Sequence, residues 1–177
     1  MKKSIPSADN DFKTFDFSKE NQARVEEVLK HYPPGREASA ILPLFELAQR
    51  QCGGWLPNSA IEKITEILGV STIRGYEVAT FYTLFNLKPV GKYHLQVCGT
   101  TPCMLRGSED LMSVCKKHLG IESGETTKDG LFTLNEVECL AACTNGPVVQ
   151  INEDYVENLN KTSFLKLLKD LKAGKAC

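Results

Sequence analysis

Two cysteine pairs are the part of this chain whose residue types and spacing can do chemistry. VCGTTPCMLRG, residues 97–107, places four residues between Cys98 and Cys103; ECLAACTNGP, residues 138–147, places three between Cys139 and Cys143. Four thiolates brought together can hold zinc or frame an iron–sulfur cluster, and a pair alone can be a disulfide or a thiol redox centre. Structural zinc commonly sits on tight Cys-x-x-Cys knuckles, and thiol oxidoreductases carry Cys-x-x-Cys at a helix start; the chain has no such spacing. Arms with four and three intervening residues open wider loops, which suits two irons, each held by two thiolates with sulfides between them. Plant-type ferredoxins also contain a Cys-x4-Cys arm, although their remaining spacing differs. The spacing favours a two-iron cluster, with zinc and thiol redox chemistry as the other readings.

Donors flank both arms. Gly99, Thr100 and Thr101 follow the first cysteine, and Asn145 and Gly146 follow the fourth. Their N–H and hydroxyl groups can point at cluster sulfurs, stabilise the added negative charge and raise the reduction potential. Glycine, threonine and proline also make turns, and both roles can hold at once; Pro102 and Pro147 are expected to rigidify the loops. The other cysteines lack a ligand spacing. Cys115 lies four residues from both Leu111 and Leu119 and reads as a small core residue, while Cys52 adjoins Gly53-Gly54 and Cys177 ends the sequence. His31, His94 and His118 are scattered, with no Cys-x-His pair of the Rieske type. No catalytic residue is expected, and no G-x-G-x-x-G or G-x-x-x-x-G-K-[ST] loop occurs to hold a nucleotide or flavin. A one-electron carrier without its own substrate site needs a partner that has one.

Positioning the pairs falls to the elements around them. YHLQV alternates and predicts a strand ending at Cys98; SEDLMSVCKKHLG predicts a helix with Ser108 as N-cap and Gly120 as its stop. A polar turn, ESGETTKDG, leads to a second strand, LFTLNEV, ending near Cys139. Strands joined by such a crossover run parallel, so their carboxyl ends share one sheet edge, the edge at which open α/β sheets bind ligands. The 35 residues between Cys103 and Cys139 therefore bring the two pairs to one spot. PVVQI and DYVEN read as a hairpin over Asn152-Glu153, and FLKLLKDLKAG as an amphipathic helix with lysines outward. Before all this, helical periodicity predicts four helices. They run from Ser18 to the Pro33-Pro34-Gly35 stop, through EASAILPLFELAQRQ, from Asn58 or Ser59 (S-A-I-E having capping-box spacing) to Gly69, and through STIRGYEVATFYTLF. YEVATFYTLFNL is rich in apolar residues, and part of it is expected at a partner interface.

The fold class expected is α+β and α/β: a loose, flexible tail over 1–17, a helical bundle over 18–88, and a β-α-β-β-β-α domain over 89–177. With 42% hydrophobic and 24% charged residues the chain can build a real core. A formal net charge of −1, spread evenly over both halves, argues against nucleic acid or an anionic membrane as the main partner. The first residues, MKKSIPSADNDF, lack the apolar run of a secretory signal and are too acidic for a mitochondrial presequence. Nothing approaches the roughly 18 apolar residues of a membrane span. A soluble intracellular protein, or a trimmed mature form, is expected, and in a reducing compartment clustered cysteines read as metal-binding.

Three runs carry a resemblance: GGWLP, YEVATFYTLFNLKPVGKYHLQVCGTTPCMLRG, and GETTKDGLFTLNEVECLAACTNGPVVQIN. Together they strongly resemble the E-subunit family of respiratory NADH:quinone oxidoreductase (complex I), over roughly residues 20–160. The resemblance implies a thioredoxin-like C-terminal domain with one 2Fe-2S cluster, whose ligands map onto Cys98, Cys103, Cys139 and Cys143. It implies an electron-transfer subunit, without a complete active site of its own, that exchanges single electrons with a flavin. FMN and NADH would be bound by a partner subunit, and iron–sulfur subunits of the peripheral arm would be further partners. The place implied is the cytoplasmic side of a bacterial inner membrane or the mitochondrial matrix side. Alternatives are the equivalent diaphorase subunit of a soluble NAD-linked hydrogenase or formate dehydrogenase and, from another class, a zinc-stabilised binding module or thiol oxidoreductase. One departure is Ala141, where the family commonly has glycine.

Overall fold

A computed structural model describes residues 14–174 and divides the chain into two compact units at Pro89–Val90. Seven α-helices and a five-stranded mixed sheet occur among the described residues. Residues 1–13 of the expected tail lie outside the description, but Phe15 and Phe17 are buried in the first unit, stacked edge to face with centroids 5.0 Å apart.

The first unit contains α1 (Lys19–Lys30), α2 (Ile41–Gln51), α3 (Asn58–Ile67) and α4 (Thr72–Phe81). Ser18 caps α1 by accepting the Asn21 N–H at 3.2 Å. Glu37–Ala40 forms a 3-10 turn rather than the start of α2, which leaves Pro43 in the first turn of that helix, where its missing N–H costs nothing. The capping box expected at Ser59 does not form: Pro57 precedes α3 and no side chain caps it. Apolar residues at helical spacing, among them Leu44, Phe45, Ile61, Ile64 and Val78, close one core. Gly75 lets α3 and α4 approach, since a Cβ there would lie 2.5 Å from Thr65 Cγ2 and 2.8 Å from Ile61 Cγ2. Helix α4 stops at Phe81, four residues before the expected end. The chain turns extended at Tyr82, which returns Phe85 to the core against Phe45, 5.5 Å between centroids.

The second unit is built on β1 (Tyr93–Cys98), α5 (Thr101–Leu105), α6 (Ser108–Leu119), β2 (Glu125–Thr126), β3 (Phe132–Val137), β4 (Val149–Ile151), β5 (Asp154–Val156) and α7 (Lys161–Lys172). Sheet order is β2-β3-β1-β4-β5, with β1 and β3 parallel and the other pairs antiparallel. Leu95, Val97, Phe132, Leu134 and Ile151 share a core with Leu111, Val114 and Cys115 of α6 and with Phe164 and Leu168 of α7. Two elements were not foreseen. β2 lies inside the expected polar turn, hydrogen-bonded to β3 with Thr126 and Thr133 hydroxyls 2.7 Å apart. α5 is a single short helix inside the expected first loop. The N-cap of α6 is Gly107, left-handed at φ 99, and Ser108 is the buried first residue of the helix. Gly120, at φ 70, ends α6 as expected.

Candidate metal centre

The parallel ladder sets the site. Tyr93 pairs with Phe132 and Cys98 with Val137, so the carboxyl ends of β1 and β3 lie side by side, with Cys139 two residues beyond the last pair. Cys98 closes β1, its N–H bonded to Val148 O at 3.2 Å, and the Gly99 N–H donates to Val137 O at 2.9 Å. The chain then enters α5, whose second residue, Pro102, fits a position that needs no N–H partner, and Cys103 follows inside the helix. Cys98 and Cys103 are 1% and 0% exposed and pack with Val148 beside Leu140 and Ala142. Cys139 and Cys143 are exposed. Between them Ala141 is left-handed at φ 59, and Cys143–Asn145 form a 3-10 turn before a cis Gly146–Pro147 bond.

The two pairs are electrostatic neighbours: Cys98 and Cys103 act on each other's thiols, Cys143 feels the charges of Cys139 and Cys98, and Cys103 feels that of Cys143. Burial alone would raise the Cys98 thiol, but the Thr100 hydroxyl (3.2 Å) and the backbone of Leu140 and Thr100 draw it below the usual thiol value. Burial and the neighbouring Cys98 hold Cys103 above it. The bond to Cys139 and that residue's charge raise Cys143. Bystander thiols differ: burial pushes Cys52 to about 11 and Cys115 to about 12, far from the thiolate a metal needs.

Among the described residues no three His, Cys, Asp or Glu side chains close on one ion-sized point. Two cysteine pairs with the Thr100 hydroxyl and the Ala141 N–H beside their sulfurs are a donor set that fits a 2Fe-2S cluster. Gly146 packs closely on the first arm: a Cβ there would stand 3.3 Å from Cys103 Sγ.

Of the donors expected from the sequence, Thr100 reaches a sulfur. The Gly99 N–H and the Asn145 side chain go elsewhere, to Val137 O and to Glu157 Oε2 at 2.7 Å. The Ala141 N–H donates to Cys139 Sγ at 3.3 Å, and the backbone of Leu140 and Val148 favours the thiolates of Cys98 and Cys103. Backbone donors of this kind leave no trace in residue type. Spacing also misses two side-chain ties: Arg106 Nε donates to Gly146 O at 2.6 Å, 40 residues on, and Asn145 is held from Glu157, 12 residues on. The signal available for the first was a basic residue one helical turn past Cys103.

Comparison with known proteins places the chain among relatives. The family described as thioredoxin-like [2Fe-2S] ferredoxin matches residues 25–172. The E subunit of NADH-quinone oxidoreductase from Rickettsia conorii is 59% identical over 157 residues, 89% of this chain and 94% of that protein. Mitochondrial NADH dehydrogenase [ubiquinone] flavoprotein 2 of Dictyostelium discoideum is 48% identical over 176 residues, 99% of this chain and 71% of that protein. Among solved structures, an NAD+-reducing [NiFe]-hydrogenase in the air-oxidized state superposes with a TM-score of 0.65 over 76% of this chain, at 18% identity. This chain spans only 23% of that hydrogenase chain, and the likeness is one of fold.

Proposed function

The chain belongs to the thioredoxin-like 2Fe-2S ferredoxin family, and from that premise we propose that it is the electron-transfer subunit of an NADH:quinone oxidoreductase. Cys98, Cys103, Cys139 and Cys143 hold its one 2Fe-2S cluster. The observation that carries this reading is the placement of two cysteine pairs, as electrostatic neighbours, at the carboxyl ends of the parallel strands β1 and β3. When bound, the cluster supplies one-electron chemistry. The chain's own residues do the rest. Cys98, Cys103 and Val148 exclude water from one side, while Thr100 and the backbone of Leu140, Ala141 and Val148 offset thiolate charge. Cys139 and Cys143 face outward, the side from which electrons can be exchanged.

The partners are a flavin- and NADH-binding subunit and the iron–sulfur subunits of a peripheral arm, with no nucleic acid. The helical N-terminal unit is a separate bundle that docks a partner. Ile73, Phe81 and Leu84 on and after α4 support this, being 63%, 77% and 50% exposed. The place of action is the cytoplasmic side of a bacterial inner membrane or the matrix side of a mitochondrial one. No helix among the described residues is long and apolar enough to cross a membrane. The hydrogenase likeness supports fold alone, while the relatives at 59% and 48% identity are NADH-quinone oxidoreductase and NADH dehydrogenase subunits, so the quinone-linked reading is favoured over a soluble diaphorase.

Anaerobically purified protein is expected to be brown, with two irons and two labile sulfides per chain as its family's 2Fe-2S cluster requires, and EPR-active once reduced. Stoichiometric zinc without visible absorbance would overturn the reading.

A further inference from the structure

We propose that Arg106 is a positioning residue for the cluster: it ties the two cysteine arms together, and its charge raises the cluster's reduction potential. This rests on the cluster reading above. Arg106 follows α5 three residues after Cys103, and its Nε donates to the carbonyl of Gly146, three residues after Cys143, at 2.6 Å. A Cβ placed on Gly146 would stand 3.3 Å from Cys103 Sγ and 3.7 Å from Arg106 Cδ, so the sulfur, the carbonyl and the arginine stem share one small volume. The bond therefore spans the arms at the ligand that is fully buried, and it does not depend on the exposed pair.

The acceptor is a neutral carbonyl, so the hydrogen bond leaves the guanidinium charge in place. Acidic side chains also stand at the ligand loops. Glu136 fills the space over Gly99, where an added Cβ would lie 2.9 Å from its Cγ, and Glu157 holds Asn145. A cluster bound by four thiolates is anionic and gains a further negative charge on reduction. A fixed cation one turn from a ligand favours the reduced form, and the carboxylates oppose it. Arginine suits the task because it stays charged at any working pH and its rigid fork keeps the bond's direction.

The test is an EPR-monitored redox titration with dithionite on the anaerobically purified full chain, with iron content measured alongside, for wild type, Arg106→Lys and Arg106→Gln. Arg106→Gln is expected to lower the ratio of reduced to oxidised cluster at a fixed poise about three- to tenfold, a midpoint shift of about 30 to 59 mV downward for a one-electron couple. Arg106→Lys, which keeps the charge, is expected to shift less than half as far. Iron lost from Arg106→Gln but retained in Arg106→Lys also supports the proposal. A wild-type midpoint in Arg106→Gln overturns it. Equal iron loss from both variants, with the circular dichroism of the fold intact, would make Arg106 a plain structural tie and overturn it too. Absence of any 2Fe-2S signal in the wild type is a distinct result, which removes the cluster reading itself.

Discussion

Cys98 and Cys103 stand on regular structure, one closing β1 and one inside α5, and both are buried. Cys139 and Cys143 stand on a loop with a left-handed alanine and a 3-10 turn, and both are exposed. The first arm is fixed by the β1–β3 ladder, by Cys98 N–H to Val148 O and by apolar packing, all of which the chain makes with its own groups. The second arm is held by tethers: Arg106 on Gly146, Glu157 on Asn145, and the Asn158 N–H on Asn145 O at 2.7 Å. Metal binding contributes folding energy where a site is not already built. With the ligands proposed above, that energy would fall on the second arm, and the first would work as a template.

The largest effect that can break this contrast comes from replacing one ligand in each arm. Cys103→Ser and Cys139→Ser are both expected to lose most of their bound iron, whereas Cys115→Ser keeps it. The metal-free proteins should then differ. A hydroxyl at the fully buried Cys103 is expected to cost about 1–3 kcal/mol in a urea titration, and one at the exposed Cys139 less than about 0.5 kcal/mol. Equal costs in the metal-free state would remove the distinction between template and loop. Iron loss from Cys115→Ser matching that from Cys139→Ser would undo the ligand assignment.

The same contrast governs what could be read from the sequence. Strands β1 and β3 were legible because Leu95, Val97 and Leu134 alternate toward one core, and that alternation with the crossover rule brought the cysteine pairs together. The short α5 was not legible: five residues, Thr-Pro-Cys-Met-Leu, are too few to carry a helical periodicity. Nor was β2, two exposed residues made a strand by pairing with β3 and by the Thr126–Thr133 bond. Ser59 had the spacing of a cap without its position, because Pro57 already sets the entry into α3. The site's residue types were visible, while its polar environment, supplied by backbone N–H groups and by Arg106, depends on pairings across tens of residues.

A smaller change tests the second arm directly. Ala141 sits at φ 59, a region that costs an L-residue roughly 1–2 kcal/mol and glycine almost nothing. Part of that gain returns as the larger backbone entropy of glycine when unfolded, so Ala141→Gly is expected to stabilise the metal-free protein by about 0.5–1 kcal/mol. Thermal unfolding measures it. An unchanged or lower melting temperature would mean that the loop relaxes its strain when the metal is absent, and would show the second arm to be looser than described.

A pH-dependent effect lies under the first arm, on the strand that leads to Cys98. His94 is buried on β1, its Nε2 2.9 Å from Asn135 Oδ1, so a neutral ring donates there. Burial lowers its pKa below 6.5, and the bond to Asn135 opposes this only in part. The folded chain therefore binds fewer protons than the unfolded one in the window just below pH 6.5. Stability tied to His94 is complete above that pH and falls as the pH drops toward the folded value, with a slope no steeper than about 1.4 kcal/mol per pH unit. His94→Gln keeps a donor for Asn135 and removes the titration, so the stability difference between wild type and variant should shrink from pH 7.5 to pH 5.5. Acid loss of metal affects both proteins and cancels in that difference. A constant difference would mean that the imidazolium is accommodated in place, and the strand beneath the first arm would then be less closed than its burial indicates.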